Sequence, residues 1–174
     1  MIKHKDQRVG VFVDVANMYH SAKNLYNDAR VNFKEILKTA IAGRQLIRAI
    51  AYVVQSKSAE EVTFFEALEK QSFEVKMKDL QIFVGGAKKA DWDVGLAVDT
   101  IKLADRLDTI ILVSGDGDYV PLVKYLQENK GCQVEVLAFG QTASGKLIEA
   151  ADDFIDLSEE KEKFLIQSRT WRKR

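Results

Sequence analysis

Residues 9–15 read VGVFVDV, a run that is almost continuously apolar and rich in β-branched side chains. Such a run predicts a strand that is buried on both faces of a parallel sheet. Residues 47–54 and 109–114 repeat the pattern, and residues 133–139 add a further strand. Helical segments stand between these runs. The alternation predicts an α/β fold, a three-layer sandwich around a central, mainly parallel sheet.

Local signals predict the remaining elements. Ser58-Ala-Glu-Glu61 has the spacing of a capping box and opens a helix to about residue 71. Asp91 is predicted to cap a helix that runs to about Leu107, and Pro121 and Gly131 mark the two ends of the next helix. Further elements are expected at residues 73–79 (strand), 144–151 (helix) and 154–156 (edge strand).

Composition indicates one globular domain. The chain has 174 residues, of which 47% are apolar and 30% charged, values typical of a single soluble domain. We predict one domain over residues 1–160 and a charged tail over residues 161–174.

No stretch reaches the ~18 apolar residues of a membrane span, and the charged start MIKHKDQR does not resemble a secretory signal. A single cysteine, Cys132, fits a reducing compartment, so we expect a cytoplasmic protein without a membrane partner.

The charge balance limits how nucleic acid could be bound. Lysine plus arginine and aspartate plus glutamate both number 26, so the formal net charge is zero. A protein that coats nucleic acid is usually basic, and this chain would therefore bind it through a local patch. The basic run between Arg169 and Arg174 is either a solvated end or a flexible arm that contacts phosphates.

Aspartates follow the predicted strands. Asp14 ends the first strand, Asp116 and Asp118 follow the strand at 109–114, and Asp91 and Asp93 stand where the preceding helix begins. The carboxyl ends of parallel strands lie at one edge of the sheet, where ligands of such folds bind. A helix that precedes a parallel strand begins above the same edge. The sequence therefore predicts that these carboxylates share one rim.

Clustered carboxylates favour a divalent metal site. They would repel one another without a cation, and Mg²⁺ or Mn²⁺ prefers oxygen ligands. A metal there can polarise a phosphoryl oxygen and lower the pKa of a bound water. Each aspartate by itself could simply cap a helix or a turn. His4 lies in the terminal arm, and His20, near the start of the first helix, is interpreted as structural or incidental.

Two familiar α/β classes fit poorly. Haloacid-dehalogenase-type phosphatases have Asp-x-Asp at the end of the first strand, and this chain has Ala16 at the second position. Receiver domains lack a Ser-Gly-Asp-Gly-Asp run such as the one at residues 114–118.

Three segments resemble the LabA-like NYN domain family, a branch of the PIN-like nucleases. They are Asp14-Val-Ala-Asn17-Met-Tyr19, Lys89-Ala-Asp-Trp-Asp93-Val-Gly-Leu-Ala-Val-Asp99 and Ser114-Gly-Asp-Gly-Asp118-Tyr-Val-Pro-Leu-Val123. The third is the most specific, and the three occur in the family's order over nearly the whole chain. The resemblance implies a PIN-like fold, a Mg²⁺ or Mn²⁺ site, and RNA as the usual substrate.

The resemblance also assigns residues. The family's metal-binding and catalytic acids fall on Asp14, Asp93, Asp116 and Asp118, and its polar companion on Asn17. Asp99 matches a family position as well. Six residues along a helix correspond to about 9 Å and roughly 120° from Asp93, so Asp99 is expected to act in the outer shell.

One departure from the family leaves a choice open. The family usually reads Lys-Gly-x-Asp where this chain reads Lys89-Ala-Asp-Trp-Asp93, so either Asp91 or Asp93 reaches the metal. Trp92 either stacks on a base or packs at the rim. Lys88 and Lys89 either hold the strand's backbone or form a solvated loop.

The predicted mechanism is metal-dependent hydrolysis of RNA, single-stranded RNA being favoured. Asp14, Asp93 and Asp116 hold one ion with Asp118 completing the cluster, while Asn17 and Ser114 orient waters or a phosphate oxygen. Substrate selection would come from the domain itself, from a partner copy in a homodimer, or from another protein. Two alternatives remain: a non-catalytic RNA-binding or scaffold protein with the same fold, and a phosphatase for small phosphates, which would need a closed pocket.

Overall fold

The computed structural model describes residues 3–27, 29–55, 58–82, 88–89 and 91–166, with backbone alone at 81–82 and 88–89. The strands are β1 (Arg8–Asp14), β2 (Arg30–Val31), β3 (Gln45–Gln55), β4 (Glu74–Asp79), β5 (Gln81–Ile82), β6 (Lys88–Lys89), β7 (Thr109–Val113), β8 (Gln133–Ala138), β9 (Asp153–Asp156) and β10 (Leu165–Ile166). The helices are α1 (Val15–Leu25), α2 (Phe33–Ile41), α3 (Ala59–Lys70), α4 (Asp93–Ala104), α5 (Val120–Lys130), α6 (Gly145–Ala150) and α7 (Lys161–Phe164), with a 3₁₀ turn at Gly117–Tyr119. None of the helices in these ranges is long and apolar enough to cross a membrane.

A six-stranded sheet forms the centre of the molecule. Its order is β4-β3-β1-β7-β8-β9, and every neighbouring pair is parallel. In the middle, Val11 of β1 pairs with Ala49 of β3 and with Ile111 of β7. The chain first builds outward from β1 through β3 to β4, and then from β7 to β9 on the other side. The predicted three-layer α/β fold is confirmed, and its strand order changes direction between β1 and β7.

Each face of the sheet buries its own apolar layer. Val11 and Val13 of β1 point into one layer with Met18 of α1, while Phe12 points into the other with Leu96 of α4. These side chains are 0% exposed. The alternation follows from the period of two in a strand, and it explains why the β1 run has no polar face.

Most of the helix boundary signals act as predicted. Ser58 and Glu61 form a reciprocal capping box at α3, Pro121 lies in the first turn of α5, and Gly131 ends that helix with a left-handed φ of 65°. The prediction for Asp91 was wrong. Helix α4 begins at Asp93 after Trp92, with no side-chain cap, and it ends at Ala104.

The folded domain extends beyond the predicted boundary at residue 160. Residues 161–166 form α7 and β10, and β10 pairs antiparallel with β2. Phe164 and Leu165 belong to the apolar layer that contains α1 and α2. The domain thus reaches at least Ile166, and the basic run from Arg169 lies outside the described residues.

A buried ion pair lies towards the amino ends of the strands. Arg44 donates two hydrogen bonds to Glu135 of β8, at 2.6 and 2.9 Å, and both side chains are 0% exposed. Arg44 also donates to the carbonyls of Ala40 and Ile41 at the end of α2. The arginine therefore ties a helix end to the sheet.

Candidate functional site

Aspartates lie at the carboxyl ends of β1 and β7, where the strand order changes direction. Each of them also caps the helix or the 3₁₀ turn that follows it. Asp14 ends β1, and its Oδ1 accepts a hydrogen bond of 3.0 Å from the Asn17 amide at the start of α1. Asp116 follows β7, and its Oδ1 accepts one of 3.0 Å from the Asp118 amide. Each cap leaves carboxylate capacity unused. Capping and metal binding are therefore compatible at these positions.

Three carboxylates form a compact group. One oxygen each of Asp93, Asp116 and Asp118 lies within 4.8 Å of the others. Asp93 belongs to α4 and the other two follow β7, so segments distant in sequence meet as predicted. Within the described residues Asp91 is not part of this group, although it lines the same cavity. Its backbone carbonyl accepts a hydrogen bond from Lys78 Nζ at 2.9 Å.

Asp14 lies beside the group and is joined to it by Tyr119. The Tyr119 hydroxyl is 3.0 Å from Asp93 Oδ1 and 3.4 Å from Asp14 Oδ2. Asp14 is 8% exposed and Tyr119 2%. Sequence reasoning did not select Tyr119. It stands inside the Ser114–Val123 segment, but the direction of its hydroxyl depends on the packing of α4 against the 3₁₀ turn.

Burial and mutual repulsion perturb these acids. Burial raises the pKa of Asp14, and the charges of Asp93 and Asp116 raise it further. Burial likewise raises the pKa of Asp93, with added repulsion from Asp116, Asp91 and Asp118. The pKa of the Tyr119 hydroxyl is raised by its burial and by Asp14 and Asp93. That hydroxyl therefore stays protonated and can donate.

The donor set fits a hard divalent cation. The group presents only oxygen ligands, which suit Mg²⁺ or Mn²⁺ rather than a soft metal. A cation there would also offset the repulsion that raises the pKa values of Asp14 and Asp93.

Ser114 and Asn17 hold the site together from within. The Ser114 side chain is 0% exposed, and its hydroxyl accepts from the Asp116 amide at 3.2 Å and donates to Asp14 at 3.4 Å. Asn17 Oδ1 accepts from the Gly115 amide at 2.9 Å, which ties α1 to the end of β7. Ser114 thus orients carboxylates, and its expected role of orienting waters or a phosphate oxygen stays a prediction. Asn17 lines the cavity.

The glycines of the Ser-Gly-Asp-Gly-Asp run are required by close approach. A Cβ on Gly115 would lie 2.9 Å from the Ala143 Cα, and one on Gly117 would lie 2.7 Å from the Ser144 hydroxyl. The Ser144 amide donates to the Gly115 carbonyl at 2.9 Å. The loop before α6 therefore packs directly against residues 114–118 and restricts their conformation.

A half-open cavity of about 340 Å³ lies against the acids. Asp14, Asp93 and Asp116 line it together with polar residues of α1. Among the latter is His20, which is exposed. This position in the cavity lining does not test the interpretation of His20 as structural or incidental, which stays a prediction. The helical spacing of Asn17, His20, Ser21 and Asn24 could have indicated a polar stripe on one face of α1.

Trp92 and Asp99 occupy defined positions outside the carboxylate group. Trp92 lines the cavity, and its indole Nε1 donates to the Val53 carbonyl at 2.8 Å.

Asp99 accepts from the Tyr52 hydroxyl at 3.0 Å and from Lys76 Nζ at 2.5 Å. Asp99 is thus paired with Tyr52 and Lys76, and its expected outer-shell role stays a prediction.

The predicted phosphate-holding lysines are described only in their backbone. Lys88 and Lys89 form β6, which pairs antiparallel with β5. Their side chains lie outside the described part of the chain, so their contact with a substrate stays a prediction.

Similar proteins agree with this architecture. The chain is 24% identical to the low amplitude and bright protein LabA of Synechococcus elongatus, over 89% of this chain and 86% of that protein. A solved structure of a Vibrio parahaemolyticus protein of unknown function superposes with a TM-score of 0.85 at 30% identity, over 95% of this chain and all of that one. The family model of the NYN domain matches residues 8–158. The chain, with its parallel sheet and its aspartates at the carboxyl edge, therefore belongs to the NYN domain family.

Proposed function

We propose that this protein is a metal-dependent ribonuclease that hydrolyses RNA phosphodiester bonds. The observation that carries the proposal is the group of Asp93, Asp116 and Asp118 beside the buried Asp14, facing an open cavity. A pure binding module would gain nothing from carboxylates that repel one another. Membership of the NYN family, which is related to the PIN-like nucleases, supports the same conclusion.

In this proposal Asp93, Asp116 and Asp118 hold a Mg²⁺ or Mn²⁺ ion, and Asp14 completes the site directly or through water. The bound ion supplies a Lewis acid for the phosphoryl oxygen and lowers the pKa of a coordinated water. Asp14 is held by Ser114, by Tyr119 and by the Asn17 amide. The fixed carboxylates hold their geometry without reorganisation during the reaction.

The substrate reaches the acids through the cavity. Its open side gives the scissile phosphate access to Asp93 and Asp116. With a formal net charge of zero, RNA affinity must come from local contacts. Lys88 and Lys89 are candidates for backbone phosphates, and a second copy of the chain or another protein could add to the binding surface.

The proposal is tested by incubating purified protein with labelled single-stranded RNA in Mg²⁺, in Mn²⁺ and in EDTA. We expect cleavage with either ion and none with EDTA. p-Nitrophenyl phosphate serves as a parallel small substrate, because a phosphatase would turn it over. Protein that binds Mn²⁺ by calorimetry but leaves RNA of several forms uncut would overturn the nuclease proposal in favour of a scaffold.

A further inference from the structure

Part of the cavity lining has a different chemistry from the acids. It is formed by one face of α1, carrying Asn17, His20, Ser21 and Asn24. Positions separated by three and four residues share one face of a helix, and Asn17 and Asn24 are about 10 Å apart along its axis. These side chains therefore form a stripe of amide, hydroxyl and imidazole groups that leads away from Asp14.

Several groups on this stripe keep unused hydrogen-bonding capacity. Ser21 accepts from the Thr142 hydroxyl at 2.9 Å, which joins α1 to the loop before α6. Asn17 uses its oxygen for the Gly115 amide. For the Asn17 amide nitrogen, the His20 ring and the Asn24 side chain, no hydrogen bond is found within the described ranges. His20 and Asn24 are exposed and can reach a ligand without rearrangement.

An apolar and rigid border complements the stripe. Trp92 and Val54 line the same cavity. The Trp92 ring is fixed by its bond to the Val53 carbonyl, by the Tyr52 ring at 5.3 Å between centroids, and by Gly95, where a Cβ would lie 2.6 Å from the ring. An ordered indole beside amides and an imidazole is a suitable surface for a planar, hydrogen-bonding group.

The charges of the lining residues determine whether a phosphate or a base and its sugar fits the cavity. None of its lining residues among those described is lysine or arginine, and Asp14, Asp91, Asp93 and Asp116 are all acidic. A phosphate group would be repelled there unless it lay on a cation at the acids. Neutral amides and an aromatic border suit a base and its sugar instead. A base can enter such a cleft only when it is not paired.

We propose that the cavity between the α1 stripe and Trp92 binds the base and sugar of one unpaired nucleotide, next to the phosphate that lies at the aspartates. This assignment rests on the proposed ribonuclease function. It gives a structural reason for the preference for single-stranded RNA that the sequence analysis expects, and it gives His20 and Asn24 the role of substrate contacts. Base-paired RNA cannot insert a base and would leave the cavity unfilled.

The test measures binding separately from cleavage. Fluorescence anisotropy follows a labelled single-stranded RNA dodecamer on protein that keeps all of its aspartates, with Ca²⁺ in place of Mn²⁺. Ca²⁺ also takes oxygen ligands, and a gel of the same samples shows that the RNA stays intact. Adding His20→Ala and Asn24→Ala removes two proposed hydrogen-bonding contacts to the nucleotide. We expect about tenfold weaker binding. The matched control is Asn129→Ala, an exposed asparagine on α5, which should leave the affinity unchanged.

The same assay with a blunt RNA duplex of equal sequence should give at least about tenfold weaker binding than the single strand. Equal affinity of the double variant and its parent, or equal affinity for duplex and single strand, would overturn the nucleotide site. The two proposals can fail separately. Cleavage by wild-type protein with unchanged binding in the variant would leave the nuclease and remove the nucleotide site. Weaker RNA binding by the variant, together with no RNA cleavage by wild-type protein, would keep the nucleotide site and remove the nuclease.

Discussion

The Tyr119 hydroxyl lies 3.0 Å from Oδ1 of Asp93 and so joins the 3₁₀ turn after β7 to the start of α4. It also lies 3.4 Å from Asp14. One buried phenol therefore spans two carboxylates that come from distant parts of the sequence. This geometry makes Tyr119 a positioning residue for the proposed metal site.

Tyr119→Phe should weaken Mn²⁺ binding by about 10- to 100-fold, since loss of a hydrogen bond to a ligating carboxylate typically has that effect. Isothermal titration calorimetry measures it directly. Tyr52→Phe is the matched control, because Tyr52 is equally buried and donates to Asp99, outside the carboxylate group. Equal Mn²⁺ affinity in both variants would contradict the positioning role.

Asp14→Asn should stabilise the metal-free protein at neutral pH. The pKa of Asp14 is raised from 3.8 in the folded state, so the folded protein binds this proton more tightly than the unfolded chain does. The contribution of Asp14 to the free energy of unfolding is therefore largest below pH 3.8. It falls as the pH rises from there through the raised pKa of the folded state. Asparagine does not ionise, so the variant does not lose this stability as the pH rises. Its side-chain oxygen can still cap α1.

The measurement is thermal unfolding in EDTA across pH. We expect the Tm of Asp14→Asn to exceed that of wild-type protein by a few degrees at neutral pH, since ~1 kcal/mol corresponds to roughly 2–4 °C in a domain of this size. The difference should shrink as the pH falls. A lower Tm for Asp14→Asn throughout would show that the carboxylate stabilises the fold.

Gly95→Ala should destabilise the protein by about 1–3 kcal/mol through overpacking. Alanine normally stabilises a helix interior relative to glycine, but here its Cβ would meet the Trp92 ring at 2.6 Å. Gly145→Ala in α6 is the control, because a Cβ there meets nothing within 4 Å. Urea denaturation compares the two, and a gain in stability for Gly95→Ala would show that the Trp92 ring is free to move.

Glu135→Ala should reduce the free energy of unfolding by about 3–5 kcal/mol, because it leaves Arg44 charged and buried without its partner. The double variant Arg44→Met/Glu135→Leu should lose less, since it removes both charges. Urea denaturation of the three proteins distinguishes the cases. A double variant that is less stable than Glu135→Ala would mean that the pair contributes more than its desolvation costs.

The parallel sheet and the meeting of the aspartates were predictable because strand pattern and topology determine them together. Apolar runs give buried strands, and carboxyl ends of parallel strands share an edge. The start of α4 was not predictable from Asp91, because local capping preference competes with the tertiary bonds of Trp92 and Lys78. The pairing of Asp99 with Lys76 also needed the register of β4, which a sequence pattern does not provide.

The contacts of Tyr119 and the α1 stripe were missed for a related reason. A single tyrosine in a motif does not reveal which carboxylate its hydroxyl meets. The neutral residues Asn17, His20 and Asn24 have a recognisable helical spacing, but a polar stripe on a helix usually faces solvent. Only its place in the lining of the same cavity as Trp92 and the aspartates distinguishes this stripe from an ordinary solvated face.

The central claim is that the aspartate group is the catalytic centre, and the rate of RNA cleavage in Asp116→Asn tests it most directly. The matched control is Asp105→Asn, an exposed aspartate at the other end of α4, about 18 Å along the helix from Asp93 and paired with Lys130. The account predicts at least a ~100-fold loss of Mn²⁺-dependent cleavage in Asp116→Asn and none in Asp105→Asn. Full cleavage by folded Asp116→Asn protein would contradict it.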